Sequence, residues 1–249
     1  MLTEERRQQI LQLLDAQQVI KSQELIERLD ASESTIRRDL QELEDEGLLE
    51  RVHGGAKRII QLGQEYNMQE KSIKNIQEKK KIAKYAASLL REGDIIYLDA
   101  GTTTYEMIPY LPTFELKVIT NSVDHAVALT ERGIDTIVLG GALKASTRAI
   151  LGSSALEQLA NYRFNKTFLG MNAAHLEFGY STPDPEEAVL KRLASEHAAE
   201  TFFLVDASKI NNVSFTKVAA IDSGTLITTT LAPALHQAYI EKTKLKEIE

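Results

Sequence analysis

The hydrophobic spacing between Ser32 and Gly47 constrains this chain more tightly than any other stretch. Ile36, Leu40 and Leu43 stand at i, i+4 and i+7, one stripe of an α-helix. Ser32 is placed to cap the helix start, and Gly47 to stop it in the left-handed conformation. At about 100° per residue, Ser34, Arg37, Arg38 and Gln41 project away from the stripe. Taken alone, two arginines on an exposed face describe an ordinary solvated helix.

The flanking residues narrow that reading. A first helix is predicted from Glu4 to about Ala16, where Ile10, Leu11, Leu13 and Leu14 keep helical spacing, and Val19-Ile20-Lys21 reads as a short extended segment. Ser22 is placed to cap a second helix through Leu29, with Leu25, Ile26 and Leu29 inward, and Asp30-Ala31 turns tightly before Ser32. Behind the third helix, Leu48 to Val52 and Ala56 to Ile60 read as two strands joined by the glycine hairpin His53-Gly54-Gly55. Helix, strand, helix, turn, helix, two-stranded wing is the order of a winged helix-turn-helix. Its recognition helix enters the major groove, where arginine makes bidentate bonds to guanine, and its wing lies along the phosphates. The DNA-binding candidates are Ser32, Ser34, Thr35, Arg37 and Arg38 on the helix, and Arg51, His53, Lys57 and Arg58 on the wing.

Charge limits how such binding can work. The chain carries a net charge of −7, and residues 1 to 60 hold 9 Lys+Arg against 13 Asp+Glu. DNA contact must therefore come from a few converging cations rather than a generally basic surface. The absence of cysteine excludes disulfides and thiolate metal sites, and His53, His125, His175, His197 and His236 are too scattered for a local ligand pattern, so neither metal nor cofactor is expected. No apolar run is long enough to span a bilayer and the N-terminus lacks a secretory signal, which predicts a cytoplasmic chain with no membrane partner.

Apolar periodicity lapses between about Gln61 and Ile76, which divides the chain into a DNA-binding domain (1–60), a linker (61–75) and a larger domain (76–249). Lys71, Lys74, Lys79, Lys80, Lys81 and Lys84, with Glu78 the only acidic residue among them, read as solvated helix faces. From Ile82 onward, helical stretches alternate with strands predicted near Ile95 to Asp99, Leu116 to Thr120, Thr136 to Leu139, Thr167 to Met171, Phe202 to Asp206 and Leu226 to Thr229. That is an α/β class with a mostly parallel sheet, and ligands of such sheets sit beyond the C-terminal strand ends. The residues there suit an anion: Asp99, Gly101, Thr102, Thr103 and Thr104, then Asn121 and Ser122, Gly140 and Gly141, Gly170, and Asp206-Ala207-Ser208-Lys209. Small residues leave N–H groups accessible, hydroxyls add donors, a following helix adds its dipole, and Lys209 balances phosphate charge. Asp99 and Asp206 can instead accept bonds from sugar hydroxyls. Any one of these loops is also ordinary turn chemistry, and their repetition is what favours a site. No dinucleotide or P-loop fingerprint is present.

Both halves resemble the DeoR family of bacterial regulators. Arg6, Ile10, Leu14, Ser32, Thr35 through Leu40, Leu43, Gly47, Leu49, Arg51 and His53 through Ala56 are similar to its helix-turn-helix signature. Gly93-Asp94, Asp99 through Thr104, Thr120-Asn121-Ser122, Leu139-Gly140-Gly141, Gly152, Phe168-Leu169-Gly170 and Asp206 through Lys209 are similar to its sensor domain, which resembles ribose-5-phosphate isomerase. The resemblance implies a repressor bound to operator double-stranded DNA and released by a small phosphorylated sugar, with a homo-oligomer matching repeated half-sites. It further implies that Thr182 through Ala188, including Glu186, and Lys191 one turn on border the effector. Met171 through His175 departs from the glycine-containing segment of many members, which leaves Asn172 and His175 without an assigned role. Within the family, Met1 through Arg6, Ala31 through Thr35, Asp99-Ala100-Gly101 and Thr182 through Ala188 look most like repressors of fructose operons, which implies fructose 1-phosphate. Regulators answering to other sugar phosphates, such as tagatose 6-phosphate, share these loops. An aldose-ketose isomerase would use the same sheet, with Asp99, Asp206 or Glu186 and Lys191 or Lys209 moving protons. It would not need the first sixty residues, so the expectation is a regulator and not an enzyme. An activator that answers to a sugar phosphate would carry the same residues.

Overall fold

The computed structural model describes residues 2–17, 19–59, 62 and 68–249. Met1, the last expected wing residue Ile60, and positions 61 and 63–67 of the expected linker lie outside the described residues. The chain divides into two compact units, Met1–Gln61 and Leu62–Glu249.

The first unit runs α1 (Thr3–Gln17), β1 (Val19–Lys21), α2 (Ser22–Leu29), α3 (Glu33–Asp45), β2 (Leu49–Val52) and β3 (Gly55–Arg58). Ile10 and Leu14, Leu25 and Leu29, and Ile36, Leu40 and Leu43 form one core with Ile20, Leu49 and Ala56. Ser32 caps α3 as expected, its hydroxyl accepting the Thr35 N–H at 3.2 Å. The helix closes in a Schellman turn, where Leu48 N–H donates to Leu43 O and Gly47 N–H to Glu44 O, each at 2.9 Å, with Gly47 at φ 70°. Ser22 does not cap α2. It is already the first helical residue, because Lys21 before it pairs with Gly55 as part of β1 and Ser22 N–H is spent on Gly54 O at 2.8 Å.

The extended segment Val19–Lys21 joins the wing, giving a three-stranded antiparallel sheet in the order β1-β3-β2. Gly55 pairs with Lys21 where β1 runs beside β3, and a Cβ there would overlap the Ile20 carbonyl oxygen. Buried Asp39 of α3 takes Arg6 Nε at 2.5 Å and Arg6 Nη2 at 3.2 Å, with Arg7 Nε at 3.6 Å. This bidentate pair fastens α1 to α3 and fixes how α3 is presented.

The second unit runs α4 (Met68–Ile73), α5 (Ile76–Ser88), β4 (Ile95–Leu98), α6 (Thr102–Tyr105), β5 (Lys117–Thr120), α7 (Val123–Glu131), β6 (Asp135–Val138), β7 (Ala142–Lys144), β8 (Ala149–Leu151), α8 (Ser153–Leu159), β9 (Phe164–Gly170), β10 (Ala173–His175), β11 (Gly179–Thr182), α9 (Pro185–Glu196), β12 (Ala198–Leu204), β13 (Thr216–Ala219), β14 (Thr225–Thr229), α10 (Pro233–Ile240) and β15 (Lys244–Ile248). Seven parallel strands form its main sheet in the order β15-β14-β12-β9-β4-β5-β6. The six expected strands fall on β4, β5, β6, β9, β12 and β14. Side chains alternate between faces: Ile96, Leu98, Phe168 and Phe202 pack on the side of α5 and α7, while Tyr97, Leu169 and Phe203 pack on the side of α8, α9 and α10. Because β5 and β6 lie on one side of β4 and the later strands on the other, the order reverses between β4 and β9. Ligands of open α/β sheets bind in the crevice at such a reversal. Residues 68–73, within the stretch expected as linker, form α4.

Replacing Gly55 with alanine tests the pairing of β1 with the wing strand β3. The Gly55→Ala variant is expected to lose about 3 kcal/mol in the first unit, the upper end of overpacking costs. Calorimetric melting of the full chain should show a lowered transition for that unit alone, and an unchanged one would mean that β1 gives way.

Candidate functional site

On the first unit, Ser32, Ser34, Arg37 and Arg38 are exposed along the start of α3, opposite buried Ile36 and Leu40. Thr35 is half-buried, and Ser32 Oγ lies 2.8 Å from its hydroxyl and 3.0 Å from that of Ser34. His53 is exposed at the wing turn. Arg51 is a brace between wing and helix: its guanidinium donates to Gln41 of α3, and its N–H to Glu44 Oε1 at 2.8 Å. Lys57 pairs with Glu50, its register neighbour across the ladder, at 2.9 Å, and Arg58 is half-buried at the strand end. The outward cations of the helix are thus Arg37 and Arg38.

On the second unit, the strand reversal is marked by a buried ion pair. Asp99, the first residue past β4, receives Lys191 Nζ from α9 and Gly170 N–H at 3.2 Å, while Lys191 also donates to Gly170 O at 3.1 Å. Both charged residues are buried. Burial pushes the Asp99 carboxyl up to about 6 although the Lys191 charge opposes it. Gly101 to Thr104 follow as a loop and the single turn α6, so the helix dipole expected there is confined to one turn. Its first intrahelical bond is Tyr105 N–H to Gly101 O at 2.9 Å, and the N–H groups of Thr102, Thr103 and Thr104 precede it. Asn121, past β5, accepts the Ala100 N–H at 2.9 Å, and Ser122 caps α7.

One strand to the other side, β12 ends near a second polar cluster. Asp206 takes Lys209 Nζ at 3.3 Å, the Ser208 hydroxyl, and Asn75 Nδ2 at 3.0 Å; Asn75 also donates to Ser208 Oγ at 3.0 Å. Burial raises the Asp206 carboxyl, but Lys209, Ser208 and Asn75 outweigh it and hold the group at about 2. Lys79, expected among solvated lysines, is instead buried, its amine donating to Lys71 O. Burial lowers its pKa to about 8, and the nearby charge of Lys209 adds to the effect. Its phase carried the signal: Lys79, Ile82, Ala83, Ala86 and Ala87 form one buried stripe of α5, whereas Lys74, Lys80, Lys81 and Lys84 are exposed.

The remaining candidates are dispersed. Gly140 and Gly141 are exposed past the edge strand β6, leading into the β7–β8 hairpin. Glu186 is exposed on α9, while its neighbour Glu187 is buried and accepts from Thr147 at 3.0 Å and Lys144 at 3.2 Å. Glu187 shares the buried phase of α9 with Ala188, Leu190, Lys191 and Ala194. Asp184 caps this helix, accepting from Glu186 and Glu187 N–H at 2.8 and 3.1 Å. Asn172 accepts the Thr182 hydroxyl at 3.1 Å, and His175 Nδ1 accepts the N–H groups of Glu177 and Phe178 at 3.2 Å, which makes both organisers of the β10–β11 hairpin.

The ion pair has a pH signature. A raised carboxyl pKa means that Asp99 adds stability below its unfolded value of 3.8 and loses it as pH rises through about 6. Lys191→Met removes the compensating charge and should cost about 3–5 kcal/mol near pH 7.5, with partial recovery near pH 5 as Asp99 takes up a proton. Urea unfolding at the two pH values checks this, and a loss independent of pH would contradict it.

Two family models account for most of the chain. Residues 6–61 match the DeoR-like helix-turn-helix domain, and residues 74–230 match the DeoR C terminal sensor domain. Over its full length the chain is 48% identical to a Bacillus subtilis (strain 168) protein named as an uncharacterized HTH-type transcriptional regulator FruR, covering all of both chains. It is 37% identical to the lactose phosphotransferase system repressor of Lactococcus lactis subsp. lactis, over 83% of this chain and 82% of that protein. It is also 37% identical to the HTH-type transcriptional regulator GlpR of Haloferax volcanii, over 89% and 88%. Among solved structures, ribose 5-phosphate isomerase A of Methanocaldococcus jannaschii is similar over 55% of each chain, at 20% identity and a TM-score of 0.42. Among the described residues, no helix is long and apolar enough to cross a membrane. Two matched domains and relatives of this extent establish a regulator rather than an enzyme: the chain belongs to the DeoR family of sugar-responsive helix-turn-helix transcriptional repressors.

Proposed function

We propose that this repressor controls a fructose-utilisation operon and leaves its operator when fructose 1-phosphate binds beyond the C-terminal ends of β4, β5, β9 and β12. The observation that carries the reading is the polar cluster at the end of β12, where the half-buried Lys209 amine and the Ser208 hydroxyl stand against buried Asp206, with Asn75 donating to both Asp206 and Ser208. Lys79, buried on α5, feels the charges of both Lys209 and Asp206, and a phosphate dianion bound at this cluster would be met by Lys209 with the Lys79 charge in support. On this reading the sugar hydroxyls meet Asp99 and Lys191 at the strand reversal, and the N–H groups and hydroxyls of Gly101 to Thr104 and Asn121-Ser122 complete the cradle. Fructose is favoured by the FruR-named relative, and tagatose 6-phosphate is the second ligand to compare.

For DNA, Arg37 and Arg38 read bases while Arg51, His53, Lys57 and Arg58 hold the wing to helix and backbone, and a homo-oligomer presents two copies of α3 to repeated half-sites. Arg37→Ala should weaken specific operator binding by about 10- to 100-fold, the worth of one bidentate base contact, and unchanged binding would remove Arg37 from the interface. For the effector, thermal unfolding with fructose 1-phosphate, fructose 1,6-bisphosphate and tagatose 6-phosphate gives the test. The cognate sugar at a hundred times its dissociation constant stabilises by about 2.7 kcal/mol. Lys79→Met should abolish that shift, and a wild-type protein stabilised by none of the three would contradict the reading.

A further inference from the structure

Three buried side chains join the loops that follow β4 and β5, and their donors and acceptors permit one arrangement of protons. His125, in the first turn of α7, is wholly buried. Its Nδ1 lies 2.6 Å from Ser122 Oγ, and its Nε2 3.2 Å from Thr104 Oγ1. Thr104 Oγ1 in turn lies 2.6 Å from Asp99 O and 2.8 Å from Gly101 O. Carbonyl oxygens only accept, so the Thr104 hydroxyl directs its one proton to them and must itself accept from the ring. Nε2 therefore carries the imidazole hydrogen. In a neutral ring Nδ1 is then bare and accepts from the Ser122 hydroxyl. Burial, with the charge of Lys191 acting in the same sense, pushes the ring's pKa down to about 3 and keeps it neutral. Ser122 Oγ also receives the His125 N–H at 3.3 Å, and Tyr105 stands edge-on to the ring at 5.4 Å.

The relay has a direction: Ser122 to His125, His125 to Thr104, Thr104 to the Asp99–Gly101 turn. It ties two loops that meet in the side-chain layer and are otherwise linked through Asn121, whose Oδ1 takes the Ala100 N–H. Asp99 is also the residue that anchors Lys191 and Gly170. A shift of this turn would move the carboxylate and the N–H groups of the following turn together, and a binding constellation loses its fit when its supporting shell is loose by about 1 Å.

We propose that His125 is a positioning residue of the effector site, holding the Thr104 hydroxyl so that the loops after β4 and β5 meet a phosphorylated sugar in one fixed arrangement. The proposal rests on the effector reading of those loops given above. A residue that merely filled the core would be replaced equally well or badly by any amide of similar polarity, whereas a positioning ring depends on which nitrogen is supplied.

The test uses the full-length protein with His125→Gln and His125→Asn. A glutamine amide reaches the place of Nε2 and can donate to Thr104, while an asparagine amide reaches only the place of Nδ1 and Ser122. Calorimetric titration with fructose 1-phosphate should show about tenfold weaker binding for His125→Asn and less than about threefold for His125→Gln, with operator affinity unchanged in both. Equal loss in the two variants, or loss that tracks their melting temperatures, would reduce His125 to packing and overturn the proposal. Nitrogen-15 NMR of the wild-type ring should show Nε2 protonated at neutral pH, and an Nδ1–H ring would overturn the relay independently of any ligand. A wild-type protein that binds no fructose 1-phosphate, yet shows the Nε2–H ring, would leave the relay standing and refute its assignment to that effector.

Discussion

The second unit turns on a buried charge pair. Asp99 and Lys191 are both removed from water, and desolvation of two such groups is not repaid by their attraction alone. What the pair provides is registration. One carboxylate oxygen receives both Lys191 and the N–H that ends β9, and the same lysine returns to the carbonyl of that residue, Gly170. The end of β4, the end of β9 and the inner face of α9 therefore cannot move independently. Since the strand order reverses between β4 and β9, the pair sits at the kind of position where open α/β sheets bind their ligands. One turn earlier on α9, Glu187 continues the lock by holding Thr147 and Lys144 from the β7–β8 hairpin.

A similar economy governs the first unit. The region is net acidic, and much of its charge is committed internally: Arg6 and Arg7 to Asp39, Lys57 to Glu50, Arg51 to Gln41. These contacts spend cations on presenting α3 rather than on a broad electrostatic surface. With few cations left to neutralise phosphates, the sequence-independent part of DNA binding is expected to be small.

Sequence periodicity revealed both units where local chemistry and burial agree. Ile36, Leu40 and Leu43 marked the core of α3, Ser32 its cap and Gly47 its Schellman stop, and six of the seven strands of the main sheet each showed as a β-rich run. It failed where a tertiary partner overrode a local rule. Ser22 lost its capping role because β1 pairs up to its neighbour, and Lys79 was hidden inside a lysine-rich run although it stands in phase with an alanine stripe. Glu187 and Glu186 are indistinguishable as letters, and only the rotation of α9 turns one inward. The short strands β7, β8, β10, β11 and β13 escaped because their pairing is set by distant segments rather than by a pattern of their own. The β15 edge strand, with Lys244, Lys246 and Glu247 making up three of its five residues, resembles exposed chain until its partner β14 is known.

The most direct measurement is fluorescence anisotropy of labelled operator DNA titrated with the full-length protein, with and without saturating fructose 1-phosphate at fixed salt. A DNA unit governed by a sugar-phosphate unit requires the operator dissociation constant to rise by at least about tenfold when the sugar is present, within the usual range of coupling between sites. The same operator affinity in both titrations, under conditions where the sugar is shown to be bound, would contradict the account.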